Sequence, residues 1–231
     1  MKVFINRQKV DTRARLSNLA SISGLVFLLA SVVVPLIIPS WSGAAYILLI
    51  VGMGVAMVGI YFANRWVRRP RPEDSLSRAL KSFDDHYRIY HYPRLPCDHV
   101  ILTPTGIVIL EVYNIAGSFT YHQGHWKEAM TVGRALRYIV EERVSNPIAL
   151  MQQMEIELKE LLEKELEPGL TVPIKAIVVF THPAVEINVK GGSIPVCKID
   201  KLKKKISTKT SKLAPKVYEK LSLFLEQMTL E

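Results

Sequence analysis

The sequence predicts a membrane-anchored α/β protein, in which two transmembrane helices precede a mixed domain of helices and strands. Three observations carry that expectation. Residues 16–64 contain no Asp, Glu, Lys, Arg or His, and this gap holds two apolar runs, 19–38 and 44–63. Beyond it the apolar pattern changes to short β-branched runs and amphipathic stretches in the order helix, three or more strands, helix, strand. With 49% hydrophobic and 22% charged residues, the chain is too apolar to be disordered.

Each apolar run, if helical, extends about 30 Å at a rise of ~1.5 Å per residue, the thickness of a bilayer core. Pro39-Ser40-Trp41-Ser42-Gly43 separates the two runs and turns the chain round. A cleaved signal peptide would account for the first run alone, and the second run directly behind it argues against cleavage. The net charge of +9 lies on the flanks: Lys2, Arg7, Lys9, Arg13 and Arg15 against Asp11 on one side, Arg65, Arg68, Arg69 and Arg71 on the other. The positive-inside rule then sets both termini in the cytoplasm. Trp41, Tyr46, Tyr61 and Trp66 fall near the expected interfaces. Ala45, Gly52, Ala56, Gly59 and Ala63 form a small-residue stripe that packs the two helices together or joins two copies in a homodimer. With no ionisable residue in the spans, a transporter or channel is set aside.

The organisation expected is a basic cytoplasmic segment (1–17), a helical hairpin (18–64), a basic linker (65–72) and a cytoplasmic domain (73–231). Leu76, Leu80 and Phe83 mark an amphipathic helix over 73–86, followed by a strand at 87–92 closed by Pro93 and Pro96. Residues 99–103 and 107–112 are apolar strands joined by Pro104-Thr105-Gly106, a hairpin with both faces covered. A second hairpin spans 118–130 around Gln123-Gly124. An arginine-containing stretch then leads to Asn146 as N-cap and Pro147 as first residue of a helix that ends near Gly169. Residues 174–180 read as a buried strand, 185–189 as an edge strand, Asp200 as the cap of a short helix, and Pro215 as the start of a last one. Cys97 and Cys197 lack metal-type spacing and suit a reducing compartment.

Two carboxylates stand out against this apolar background. A two-residue loop at Pro104-Thr105 sets Asp98 across from Glu111, whereas a bulge at Gly106 would shift the register by one. Paired carboxylates at the ends of apolar strands are costly unless a cation neutralises them, and hard oxygens suit Mg²⁺ or Mn²⁺. His122 and His125 flank a turn, with no third zinc ligand at a diagnostic spacing. Lys198 and the seven lysines that follow it up to Lys216 could meet phosphates or lipid head groups, or form a solvated face. P-loop, dinucleotide and serine-elbow motifs are missing.

Asp98-His99 with its apolar followers, Gly106 through Glu111, Asn114, Gly117, Trp126 and the Asn146-Pro147 helix start together resemble the nuclease-related domain, NERD, a branch of the PD-(D/E)xK nucleases. The resemblance covers about residues 73–206. It implies a restriction-endonuclease-like αβββαβ core and metal-dependent phosphodiester cleavage, with Asp98 and Glu111 holding the metal and serving as catalytic residues. The family's lysine, which orients water and offsets phosphorane charge, belongs two residues after Glu111. Here that residue is Tyr113, a phenol with no positive charge at neutral pH. The family's helix glutamine would fall at Leu150, near Gln152 and Gln153. Either the fold persists as a degenerate module that binds nucleic acid or protein, or a relocated lysine, Lys127 or Lys175, restores an active Mg²⁺-dependent nuclease. The expected partners are the lipid bilayer, nucleic acid, a membrane or cytoplasmic protein, and a second copy of the chain. The near-neutral charge of the domain counts against tight nonspecific DNA binding.

Overall fold

The computed structural model describes residues 1–130, 144–165, 172–207 and 211–230. The arginine-containing stretch 131–143 and the expected helix end near Gly169 lie outside the described residues. Two compact units result, one of Arg7–Arg71 and one that combines Met1–Asn6 with Pro72–Met130 and the chain from Val144 on.

The first unit is a helical hairpin. Helix α1 spans Arg7–Ile37, a 3-10 turn occupies Pro39–Trp41, and α2 spans Ser42–Trp66. Both helices are long and apolar enough to cross a membrane. Their buried positions recur every seven residues: Val10, Ser17, Gly24 and Ser31 on α1, and Gly52, Gly59 and Trp66 on α2. That period is the one that keeps a seam between two right-handed helices wound into a left-handed supercoil. The small residues allow close approach: a Cβ on Gly24 would come within 2.8 Å of the Ala56 Cβ, and one on Gly59 within 2.6 Å of the Ser21 nitrogen. Ser17 Oγ donates to the Gly59 carbonyl at 3.0 Å. Gly52 and Gly59 of the small-residue stripe are thus taken up by α1 of the same hairpin. The outward surface is aliphatic, with Leu36 77% and Ile37 72% exposed, a surface that suits lipid rather than water.

The second unit is a mixed α/β domain. Its elements are β1 (Lys2–Ile5), α3 (Pro72–Ala79), β2 (Arg88–His91), β3 (His99–Thr103), β4 (Gly106–Tyr113), β5 (Gly117–His122), β6 (His125–Glu128), α4 (Pro147–Glu165), β7 (Ile174–Phe180), β8 (Val185–Val189), β9 (Val196–Lys198), α5 (Ile199–Ile206) and α6 (Pro215–Leu230). The main sheet has the order β1-β2-β3-β4-β7-β9, and a smaller sheet has the order β6-β5-β8. In the main sheet β2, β3 and β4 run antiparallel, while β7 lies parallel to β4 and β9 parallel to β7. The basic N-terminal segment is more than a charged flank: Lys2–Ile5 pairs in parallel with Arg88–His91 and forms one edge of this sheet, with Phe4 stacked on Tyr90 at 4.9 Å.

Apolar residues cover both faces of the sheet, as the unbroken hydrophobic runs of β3, β4 and β7 require. On one face Val100, Leu102, Ile107, Ile109, Val178 and Phe180 pack with Ile148, Met151 and Leu158 of α4, Leu221 and Leu225 of α6, and Phe119 of the small sheet. On the other face Ile101, Val108, Leu110, Ile177 and Val179 pack with Leu76 of α3 and Leu202 and Ile206 of α5.

Two local expectations are corrected. The helix expected over 73–86 ends at Ala79 and passes into turns, in which Lys81 N–H bonds the Arg78 carbonyl and Phe83 N–H that of Leu80. Asp200 lies in the first turn of α5, whose N-cap is Lys198 with no side-chain cap bond. The segment 185–189 is an edge strand as expected, parallel to β5 in the small sheet. The Asn146 cap is as expected, its Oδ1 accepting from Ile148 N at 3.2 Å and Ala149 N at 3.3 Å. Cys97 and Cys197 are free and buried, and burial pushes the Cys197 thiol up to about 11.

Candidate functional site

The β3–β4 hairpin sets the register of the candidate carboxylates. Thr103 pairs with Gly106 and His99 with Leu110, the alignment of a two-residue loop at Pro104-Thr105. The ladder ends at His99. Continued by one step, the same register would set Asp98 opposite Glu111. Gly106 is held at φ +149°, and a Cβ there would collide with the Pro173 carbonyl oxygen, so the turn leads directly into the β4–β7 pairing. Ile107 N–H donates to that same carbonyl at 2.9 Å.

Side chains alternate along β4. Ile107, Ile109 and Tyr113 belong to the core on the α4 side, so Glu111 projects to that side as well. Glu111 is buried, 7% exposed, and Asp98 is half-buried. Tyr113 is 4% exposed, and its ring lies 5.5 Å from Phe180, which in turn meets Phe119 at 5.0 Å and Trp126 at 6.3 Å. The position two residues beyond Glu111 is therefore part of an aromatic core.

The two lysines considered as replacements stand elsewhere. Lys175 pairs with Val108 in the β4–β7 ladder, on the α5 side, opposite to the face that carries Glu111. Its Nζ donates to the Lys205 carbonyl at 2.6 Å. Lys127 lies on β6 between Trp126 and Glu128, exposed, while Trp126 turns to the core. Neither register brings an ammonium to the Glu111 face. Leu150 occupies α4, where Gln152 is bonded to Ser193 at 2.9 Å and Gln153 to Glu157 at 2.8 Å.

A buried polar cluster that sequence reading did not single out lies beside α3. His91 and His99 face each other across the β2–β3 ladder with their Nδ1 atoms 2.9 Å apart, and His91 Nε2 lies 3.2 Å from Ser77 Oγ. Two Nδ1 atoms at that distance share one proton, so the two rings adopt complementary roles. Burial, reinforced by the facing His99, holds His91 well below the usual histidine range. Tyr92, at φ +60°, donates from its hydroxyl to Glu73 Oε2 at 2.8 Å and from its backbone N–H to the Asp98 carbonyl at 2.6 Å. A non-glycine residue in the left-handed region is strained, and here it ties α3 to the start of β3 beside Asp98. The signal in the sequence was the run His91-Tyr92 with His99, polar residues at positions that β-alternation turns inward.

Among the described residues, no group of three or more His, Cys, Asp or Glu comes together as a metal set. His122 and His125 pair across the β5–β6 turn and are both exposed, as befits surface residues of a hairpin. Two carboxylates are too few for structural zinc, but the donor chemistry suits Mg²⁺, which keeps most of its shell as water and substrate phosphate.

No curated protein and no solved structure matches the chain. Residues 71–181, from α3 through the end of β7, match the family model NERD, nuclease-related domain. The chain thus carries a nuclease-related domain of the NERD family.

Proposed function

We propose that this is a nuclease-related domain held at a membrane by an inserted helical hairpin, whose cleavage site has decayed and which serves to bind nucleic acid or protein. The observation that carries this reading is Tyr113, which fills the position of the family lysine and is packed in the Phe180–Phe119 aromatic core. A phenol there carries no positive charge at neutral pH, so it does not replace the ammonium that orients water at a scissile phosphate. The element order α3-β2-β3-β4, then α4-β7, supports a restriction-endonuclease-like αβββαβ core, with the β5–β6 hairpin inserted after β4.

In the alternative reading, Asp98 and Glu111 would hold Mg²⁺ or Mn²⁺, which supplies Lewis-acid polarisation of a phosphoryl oxygen. A lysine would then have to reach the Glu111 face. The registers of Lys175 and Lys127 favour the non-catalytic reading.

The anchor reading gains a topological argument. Because β1 and β2 are neighbours in one sheet, a spanning hairpin must enter and leave the membrane on the same side. The basic residues on both flanks favour the cytoplasmic side.

The test is cleavage of supercoiled DNA by the full chain in detergent with Mg²⁺, wild type against Glu111→Gln. Equal, background-level nicking in both is expected. Nicking by the wild type that disappears in Glu111→Gln would overturn the reading and establish an active nuclease.

A further inference from the structure

Residues 73–231 hold 21 basic and 20 acidic side chains, and five of the basic ones fall within the nine residues 198–206, against Asp200 alone. The rest of the domain is thereby left slightly acidic, and its positive charge is gathered on α5. Leu202 and Ile206, one turn apart, seat this helix on the sheet beside Leu76 of α3. Lys201, Lys204 and Lys205 recur at i, i+3 and i+4, so they share a face, and all three are exposed. Among the described residues no carboxylate forms an ion pair with these three. Lys203 points elsewhere: its Nζ bonds Ser82 Oγ at 2.7 Å and lies 5.5 Å from the centre of the Phe83 ring, which ties α5 to the turns after α3. Of the acids in those turns, Asp85 meets the N-terminal ammonium at 3.0 Å and Asp84 takes the His86 N–H at 2.9 Å.

The helix against which α5 packs, α3, is also the first element after the hairpin. From Trp66 to Pro72 the chain covers six residues, a reach of about 20 Å at most, so this layer is held close to whatever surface α2 leaves. The cytoplasmic surface of a bilayer is anionic and draws in clustered lysines near it. We infer that the face of Lys201, Lys204 and Lys205 docks on anionic lipid head groups of the membrane that the hairpin enters. The inference rests on the anchor reading and is independent of whether Asp98 and Glu111 cleave anything. A lipid surface fits this face better than nucleic acid does. All five cations are lysines, point charges without the planar fork that grips one phosphate through two bonds. The neighbouring ring, Phe83, is covered by Lys203 on one side and stacked on Tyr87 at 4.3 Å, which leaves no platform for a base. The tether raises the local concentration of lipid and leaves that of nucleic acid unchanged.

The test places the full chain in nanodiscs of phosphatidylcholine, with or without about one-third phosphatidylserine, and follows the acylation of individual lysines by an uncharged reagent with mass spectrometry. Co-elution of chain and nanodisc reports the anchor by itself, and a chain that stays outside the nanodisc would overturn the anchor reading and this inference with it. In the incorporated chain, phosphatidylserine should slow Lys201, Lys204 and Lys205 by about fivefold or more, and high salt should restore their rates. Lys159, 63% exposed on α4, should be unaffected. The double variant Lys204→Gln with Lys205→Gln, both on the exposed face, should lose most of the protection at Lys201 while the fold is retained. Equal rates in the two lipids would overturn the inference and leave the anchor standing. Protection by duplex DNA in pure phosphatidylcholine nanodiscs, with none from phosphatidylserine, would overturn it in favour of a nucleic-acid surface.

Discussion

The two faces of the β4–β7 pair hold opposite charges in opposite settings. On the α4 face a carboxylate, Glu111, is buried, and on the α5 face an ammonium, Lys175, stands half-buried with its Nζ bonded to the Lys205 carbonyl. A metal-dependent nuclease needs carboxylates and ammonium on one face within a few ångströms of one phosphate. The difference between the faces is one of parity: a single residue along a strand reverses the side to which a side chain points. Possession of the right residue types in adjacent strands is therefore no measure of a working site.

Substitutions can break this comparison at several levels. Phe180→Ala removes the ring that joins Tyr113, Phe119 and Trp126 on the α4 face, and should cost about 3–5 kcal/mol in thermal or denaturant unfolding of the α/β unit. Gly106→Ala, at the turn from which both faces take their register, should cost roughly 1–3 kcal/mol, because φ is +149° and the Pro173 carbonyl blocks the Cβ. Asn146→Ala should cost about 1 kcal/mol by removing the cap of α4, without altering either face. Lys175→Met should change stability by no more than about 0.5 kcal/mol, since it deletes one bond and relieves one repulsion.

The buried histidine pair sharpens the comparison through pH. His91 binds its proton less readily folded than unfolded, where its pKa is near 6.5. Below that pH the unfolded chain takes up a proton that the folded chain refuses, so stability is full above about 6.5 and falls as the pH drops towards the lowered folded value. Unfolding midpoints measured between neutral and mildly acidic pH should decline, and His91→Gln should flatten that dependence.

Much of the fold was legible because its signals are local. The apolar runs 19–38 and 44–63, the Pro104-Thr105 loop and the Asn146-Pro147 cap each specify structure within a few residues, and each appears in the structure. The strand Lys2–Ile5 was read only as basic charge, because its partner Arg88–His91 lies beyond the whole hairpin and four residues carry little pattern. The pairing of His99 with Leu110 follows from one tight turn and could be worked out. The faces of Lys175 and Lys127 could not, since they depend on how β7 aligns with β4 and β6 with β5. The His91–His99 pair escaped notice for a similar reason, as two isolated histidines become a cluster only once the β2–β3 register is known.

We propose that Tyr113, in place of the family's lysine, is what silences the Asp98–Glu111 face. The most direct measurement is Mg²⁺-dependent nicking by the full chain as wild type, Tyr113→Lys, and Tyr113→Lys with Glu111→Gln, each first checked for a cooperative unfolding transition. The account predicts background nicking in the wild type, a gain of about a hundredfold or more in Tyr113→Lys, and loss of that gain when Glu111 is also replaced. Wild-type nicking equal to that of Tyr113→Lys, and abolished by Glu111→Gln, would contradict it.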